Sequence, residues 1–259
     1  MASANAPVAT APHEQILNIV MGFWQSRALA VAAELELADQ LAEGAVAVDS
    51  LASRTRTDAS SLFRLMRALE SIGIFKQVSP KVFTNTPAVT ASYDWSQFPV
   101  IADIGGGIGT QLVDILNTHP SCRGILFDQP EVVAGAIGHN RVTTSGGDFF
   151  RSIPAGADVY TLRWIIHDWA DAEAASILKN VRQAMKPGAL LILIEEVVPE
   201  PPLPTFGMWL DPHMLVMHRG RERTITEYRE LYEQAGFVLE QVVQTPSPHS
   251  LIVGRPKAD

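Results

Sequence analysis

His167, Glu195 and Glu222 are the residues of this chain best suited to move a proton. A histidine approached by carboxylates has a raised pKa and a fixed tautomer, the properties of a general base. The bland reading is a structural histidine beside a solvated strand end at Glu195-Glu196. A second group looks like a cradle. Asp103-Ile104-Gly105-Gly106-Gly107-Ile108-Gly109 stands between a strand and a helix. Glycines there let the backbone turn tightly and approach a ligand, and the helix start offers free N–H groups. Its form is G-x-G-x-G. The dinucleotide fingerprint wants a third glycine at position 110 or 112, where Thr110 and Leu112 stand. The turn suits a ligand with an ammonium or carboxylate and no pyrophosphate, or it is a βα turn with no ligand.

Further along, Asp128 closes a second strand, where a carboxylate accepts both hydroxyls of a ribose or caps Gln129-Pro130-Glu131-Val132. In Gly147-Asp148-Phe149-Phe150, Asp148 is placed to accept an adenine amino group and Phe149 to cover the ring. The alternative is a loop with buried aromatics. In Phe206 to Met217, three of the seven methionines fall beside Phe206 and Trp209. They make an adaptable wall for a flat ligand, or an ordinary amphipathic core helix. His213 and His218 lack the helical spacing of zinc ligands, and the single Cys122 excludes a Cys-rich metal site and a disulfide scaffold, so no metal is expected.

These residues need elements to hold them. Residues 1–12 read as a loose tail. Residues 13–43 read as helix, with Leu35, Ala38 and Leu41 on one stripe and Gly44 as the stop. Two shorter helices follow, at 48–52 and 58–71, the latter with Asp58 as N-cap and Gly73 past its end. A hairpin at 74–84 completes a winged-helix pattern. From Pro99 onward strands and helices alternate. Strands are expected at 100–104, 124–128, 142–144, 158–162 and 189–195, helices at 111–117, 172–185 and 226–235, and a terminal hairpin at 238–253. Repeated βα units mean an open, mostly parallel sheet, which binds ligands at its carboxyl edge.

Composition narrows the function. The chain has 259 residues, 47% apolar, with a net charge of -8. Residues 1–87 carry seven Lys/Arg and eight Asp/Glu. A winged helix of net charge -1 points to protein contact rather than nucleic acid. Apolar runs such as 189–194 are too short for a membrane span, and the N-terminus has no signal-peptide pattern. A cytoplasmic location is expected.

Taken together, Asp103–Gly109, Phe127-Asp128-Gln129-Pro130, Gly147–Phe150, Ile166-His167-Asp168-Trp169 and Gly220-Arg221-Glu222-Arg223-Thr224 resemble the S-adenosylmethionine-dependent O-methyltransferases of the plant caffeate and bacterial natural-product type. The resemblance implies an α/β fold: a Rossmann-like, mostly parallel methyltransferase sheet at 88–259, behind an N-terminal all-helical winged-helix dimerisation domain at 1–87. It implies S-adenosylmethionine as cofactor and S-adenosylhomocysteine as product. Asp103, Gly105, Gly107, Asp128, Gln129, Asp148, Phe149 and Arg163 would hold the cofactor. His167 would be the base, flanked by Glu195 and Glu222. Trp164, Asp168, Trp209, Met214 and Met217 would meet a small aromatic acceptor, in a homodimer. One departure stands out. Family members carry a long helical segment between the wing and the first strand of the sheet, whereas Thr84-Asn85-Thr86-Pro87 runs almost directly into Ala88–Trp95. Such helices close the site against water. An open site and reduced or lost activity are therefore expected, as are cofactor-binding relatives with other chemistry as an alternative.

Overall fold

The computed structural model describes residues 24, 26–41, 44–71, 74–85, 92–202, 206–217, 220–245 and 248–257. The tail, the start of the first helix, Gly73 and the 87/88 junction lie outside them. The chain divides into two compact units, Met1–Thr86 and Pro87–Asp259.

In the first unit, α1 takes in residues 26–34. It is followed by α2 (Leu37–Gln40), β1 (Val46–Ala47), α3 (Val48–Thr55), α4 (Ala59–Ser71), β2 (Phe75–Ser79) and β3 (Val82–Asn85). The unit is mainly but not wholly helical, because β1, β3 and β2 pair as a three-stranded antiparallel sheet. Asp58 accepts the Ser61 N–H at 2.8 Å, the N-cap expected of it. The continuous helix over 13–43 is corrected. Glu36 adopts a left-handed conformation, φ 52°, and the helix restarts at Leu37. The break re-phases the stripe. Leu37 and Leu41 enter the core with Ala32, Met66, Leu69 and Phe83, while Ala38 is exposed.

The second unit holds β4 (Val100–Ile104), α5 (Thr110–Thr118), β5 (Arg123–Asp128), α6 (Pro130–Val133), β6 (Val142–Gly146), β7 (Val159–Arg163), α7 (Asp171–Ala184), β8 (Leu190–Val198), α8 (Phe206–Met217), β9 (Arg223–Thr224), α9 (Ile225–Gln234), β10 (Phe237–Gln244) and β11 (His249–Pro256). The sheet order is β10-β11-β8-β7-β4-β5-β6, with β9 added alongside β8. The strands from β6 to β8 pair in parallel, and β11 runs antiparallel to β8. After β4 the chain adds β5 and β6 on one side and β7 and β8 on the other. The crevice at that switch is where open α/β sheets take ligands.

Strand β8 explains why its sequence is so uniformly apolar. Leu191 and Leu193 enter the core shared with α7 and α9, while Ile192 and Ile194 enter the core shared with α5 and Trp95. Both faces are covered. The alternation continues past the apolar run, so Glu195 and Glu196 emerge on opposite faces at the carboxyl edge. Thr224 and Glu227 form a reciprocal capping box that starts α9.

Leu37→Ala should destabilise the N-terminal unit by about 2–5 kcal/mol, whereas Ala38→Ser should change stability by less than about 0.5 kcal/mol. Urea unfolding followed by circular dichroism distinguishes them. Equal costs would restore the continuous helix.

Candidate functional site

The glycine turn is built by close approach on one side and open space on the other. Gly105, Gly107 and Gly109 have φ of 70°, 61° and 92°, which side chains rarely adopt. A Cβ at Gly105 would stand 2.5 Å from Ile165 Cδ1, and one at Gly106 would stand 2.6 Å from Asp103 Oδ2. At Gly107 it would meet nothing within 4 Å. Asp103 is buried and its Oδ1 accepts a hydrogen bond from Thr161 Oγ1 at 2.9 Å. Burial pushes its carboxyl up to about 6, against the Thr161 bond and the charge of Arg163.

Asp128 holds two backbone N–H groups. Its Oδ2 accepts the Gly107 N–H at 2.8 Å, and its Oδ1 accepts the Gln129 N–H at 2.7 Å. It therefore fastens the glycine turn to the end of β5 and caps the start of the next segment. A carboxylate has about four lone-pair sites, so each oxygen keeps one for a ligand. Beside it lies a cleft of about 700 Å³ lined by Asp128, Gln129, Asp148, Phe149 and Trp169, among others. Asp148 Oδ1 holds the Phe150 N–H at 2.9 Å. Phe149 meets Trp169 edge to face at 6.0 Å, and Trp169 meets Phe150 at 4.8 Å. Arg163, at the end of β7, is exposed.

His167 sits in a 3-10 turn, Ile166–Asp168, and is only 5% exposed. Its Nδ1 lies 2.8 Å from Glu222 Oε1, and Glu222 itself is buried. An ionised carboxylate only accepts, so Nδ1 carries the proton and Nε2 is the free acceptor of the neutral ring. Nε2 is 3.6 Å from Asp168 Oδ1, too far for a hydrogen bond. Burial alone would lower the His167 pKa. The Glu222 hydrogen bond and the charges of Glu195, Glu222 and Asp168 outweigh burial and raise it above 6.5.

Glu195 does not touch the ring. Its Oε1 accepts the N–H groups of Ile165 and Ile166 at 3.1 and 2.9 Å, so it props the turn from beneath. Burial pushes its carboxyl up to about 7, opposed by the charge of His167. Trp164 is 43% exposed, with φ 53°, and its ring stacks on His167 at 5.7 Å. Met214 is buried on α8. The side chains of Trp209 and Met217 lie outside the described residues. Asp211, on the same helix, accepts the Glu222 N–H at 2.9 Å. Among the described residues no cluster of three His, Cys, Asp or Glu is arranged to hold a metal. No described helix is long and apolar enough to cross a membrane.

Residues 69–238 match the model of an O-methyltransferase domain, and residues 17–91 match an O-methyltransferase dimerisation domain. The chain belongs to the O-methyltransferase family. Phenazine O-methyltransferase PhzM of Lysobacter antibioticus is 32% identical over 326 residues, covering 93% of this chain and 95% of that protein. The O-demethylpuromycin-O-methyltransferase of Streptomyces alboniger is 29% identical over 339 residues, covering 94% and 89%. Among solved structures, LaPhzM has a TM-score of 0.65 at 32% identity, over 95% of this chain and 100% of that one. CalO1, a methyltransferase in calicheamicin biosynthesis solved with SAH bound, has a TM-score of 0.64 at 26% identity, over 96% and 100%. The alignments to both curated relatives are longer than this whole O-methyltransferase chain of 259 residues. Each relative therefore has residues to which nothing here corresponds.

Three residues of this O-methyltransferase, two of them inside the Gly220–Thr224 motif but given no role from the sequence, pack around the site. Arg223 is fully buried. It donates to the Ile166, Trp169 and Arg221 carbonyls and to Asp171 Oδ1. Gly220 packs so tightly that a Cβ would stand 1.9 Å from the His167 carbonyl oxygen. His249, buried on β11, packs at a tilt of 47° against Trp164 at 5.0 Å, and burial lowers its pKa to about 4. An Arg inside a run of charges reads as solvent-facing, so only Gly220 offered a local signal.

In Glu222→Gln, the His167 imidazole should titrate at lower pH than in the wild type, because burial remains while the carboxylate is gone. NMR titration of the ring protons checks this. An unchanged titration would remove Glu222 as its partner.

Proposed function

We propose that this chain methylates a hydroxyl of a small aromatic acceptor, a phenol or N-hydroxyl, with His167 as general base. The observation that carries the reading is the buried His167–Glu222 pair with Nε2 left as the acceptor. S-adenosylmethionine supplies the electrophilic methyl group when bound. The residues present fit it. The open face at Gly107, the lone pairs left on Asp128 and the Asp148–Phe149–Trp169 side of the cleft suit an amino acid joined to an adenosine. Asp103, Gly105, Gln129 and Arg163 complete the holding set.

A phenol has a pKa of about 10, so at neutral pH its proton must leave as the oxygen is methylated. His167 Nε2 would take that proton as the acceptor oxygen receives the methyl group that S-adenosylmethionine would supply. Glu222 holds Nδ1–H and stabilises the imidazolium. Glu195 keeps the turn in place through its backbone, so it is a positioning residue. Alignment of donor and acceptor and removal of one proton account for the chemistry. Trp164, Asp168, Trp209, Met214 and Met217 are assigned to the acceptor side. Relatives that carry out this kind of transfer include PhzM and a 3-amino-4-hydroxybenzoate 4-O-methyltransferase of Streptomyces cremeus. A homodimer formed through the N-terminal winged helix and a cytoplasmic location belong to the same proposal.

A second reading, cofactor binding with weakened or no transfer, is favoured by the relatives' extra residues. Calorimetry with S-adenosylmethionine, followed by transfer assays on a hydroxyphenazine, 3-amino-4-hydroxybenzoate and N-acetylserotonin, separates the two. Heat with turnover supports the first reading, heat without turnover the second, and no heat removes both.

Where turnover is found, His167→Ala should lower kcat by about 10²–10⁴-fold and leave cofactor affinity intact. Activity should rise with pH through the raised His167 pKa, since only the neutral ring accepts a proton. Glu222→Gln should move that acid limb to lower pH. Full turnover in His167→Ala would sink the base assignment.

A further inference from the structure

Glu196 has no part in the chemistry above, yet it is 5% exposed. It lies on the face of β8 opposite Glu195. Its Oε1 accepts the Gly207 N–H at 3.1 Å, in the first turn of α8, and its Oε2 is buried with no hydrogen-bond partner among the described residues. Unpaired N–H groups and the positive end of the dipole make that turn a natural seat for a carboxylate. The seat is fitted. A Cβ at Gly207 would stand 2.5 Å from Glu196 Cγ and 3.0 Å from Oε1, so only glycine lets the carboxyl lie against the helix end. At its other end the Glu196 residue is anchored by the strand, where its backbone pairs with His249 and its carbonyl accepts the Tyr228 hydroxyl at 3.4 Å.

Helix α8 is thus tied to the catalytic edge at two points. One is Glu196 to Gly207. The other is Asp211, which holds the N–H of Glu222, the partner of His167. Met214 follows Asp211 by three residues, one turn further along the same helix.

We propose that Glu196 is a positioning residue for acceptor binding, docking the first turn of α8 through the Gly207 N–H so that the helix presents its acceptor wall to His167. The proposal rests on the methyltransferase reading for the acceptor. The docking itself does not, and the test reads the two separately.

Three full-length variants are compared: Glu196→Ala, which removes the carboxyl; Glu196→Gln, which keeps an oxygen for the Gly207 N–H; and Gly207→Ala, which displaces the carboxyl and leaves Glu196 in place. Hydrogen exchange of the amides at 207–211 needs no activity. Exchange in that turn should quicken about tenfold or more in Glu196→Ala and in Gly207→Ala, and return close to the wild-type rate in Glu196→Gln. With a hydroxyphenazine as acceptor, KM should rise about tenfold in the first two variants and recover in Glu196→Gln. Cofactor affinity by calorimetry and the pH of the acid limb should stay at wild-type values in all three. Unchanged exchange in Glu196→Ala overturns the docking. Quickened exchange with unchanged acceptor KM, or a matching loss of cofactor affinity, overturns the positioning role. If the wild type turns over no acceptor while exchange responds as expected, the functional reading fails and the docking stands.

Discussion

The site depends on one buried cation. Arg223 has five N–H donors, and all are used: two to Asp171 and one each to the Ile166, Trp169 and Arg221 carbonyls. A guanidinium with no solvent around it is costly unless every donor is matched. Matching them requires the turn that carries His167, the start of α7 and the segment that leads through Glu222 into β9 to meet at one place. The geometry between His167 and Glu222 is a consequence of that meeting. Gly220 lets the incoming segment close on the His167 carbonyl, and the Arg221 N–H donates to that same oxygen at 2.9 Å.

The carboxylates around this clamp differ because their surroundings differ. Glu195 and Glu196 are adjacent in sequence, but the strand's alternation sends them to opposite faces. One supports the backbone under His167 and the other caps α8. Burial raises both to about 7. Glu222, which reaches the ring, arrives from the segment just before β9. Of the two acids that sequence reasoning set beside His167, only Glu222 touches it. Glu195 acts through two backbone N–H groups and through its charge.

On the cofactor side the same economy appears in Asp128. Its two oxygens tie the glycine turn to the end of β5, so the residue assigned to ribose also shapes the turn beside it. The cleft beyond is formed by side chains from β5, the loop after β6 and the turn before α7. Strand β3 ends at Asn85, and the next described 3-10 turn begins at Trp95. The relatives' longer alignments mean that this family's fold survives here with fewer residues. The sheet unit has two apolar cores of its own, one on each face.

The sequence by itself determined the parts that rest on local rules. Alternating βα units, glycines at a strand-to-helix turn, the continuous apolar run of β8 and the cap at Asp58 are each readable within a dozen residues, because periodicity and backbone sterics act at that range. The family's motifs linked residues far apart in the chain to one site, whose roles are those proposed above. Tertiary structure alone decided three things. It re-phased the first helix at Glu36, so that Leu37 rather than Ala38 is buried. It turned Arg223 inward from a run of charges. It chose Glu222 over Glu195 as the ring's partner. Each of these rests on contacts between segments distant in sequence, and such contacts leave no period or spacing in the chain to read.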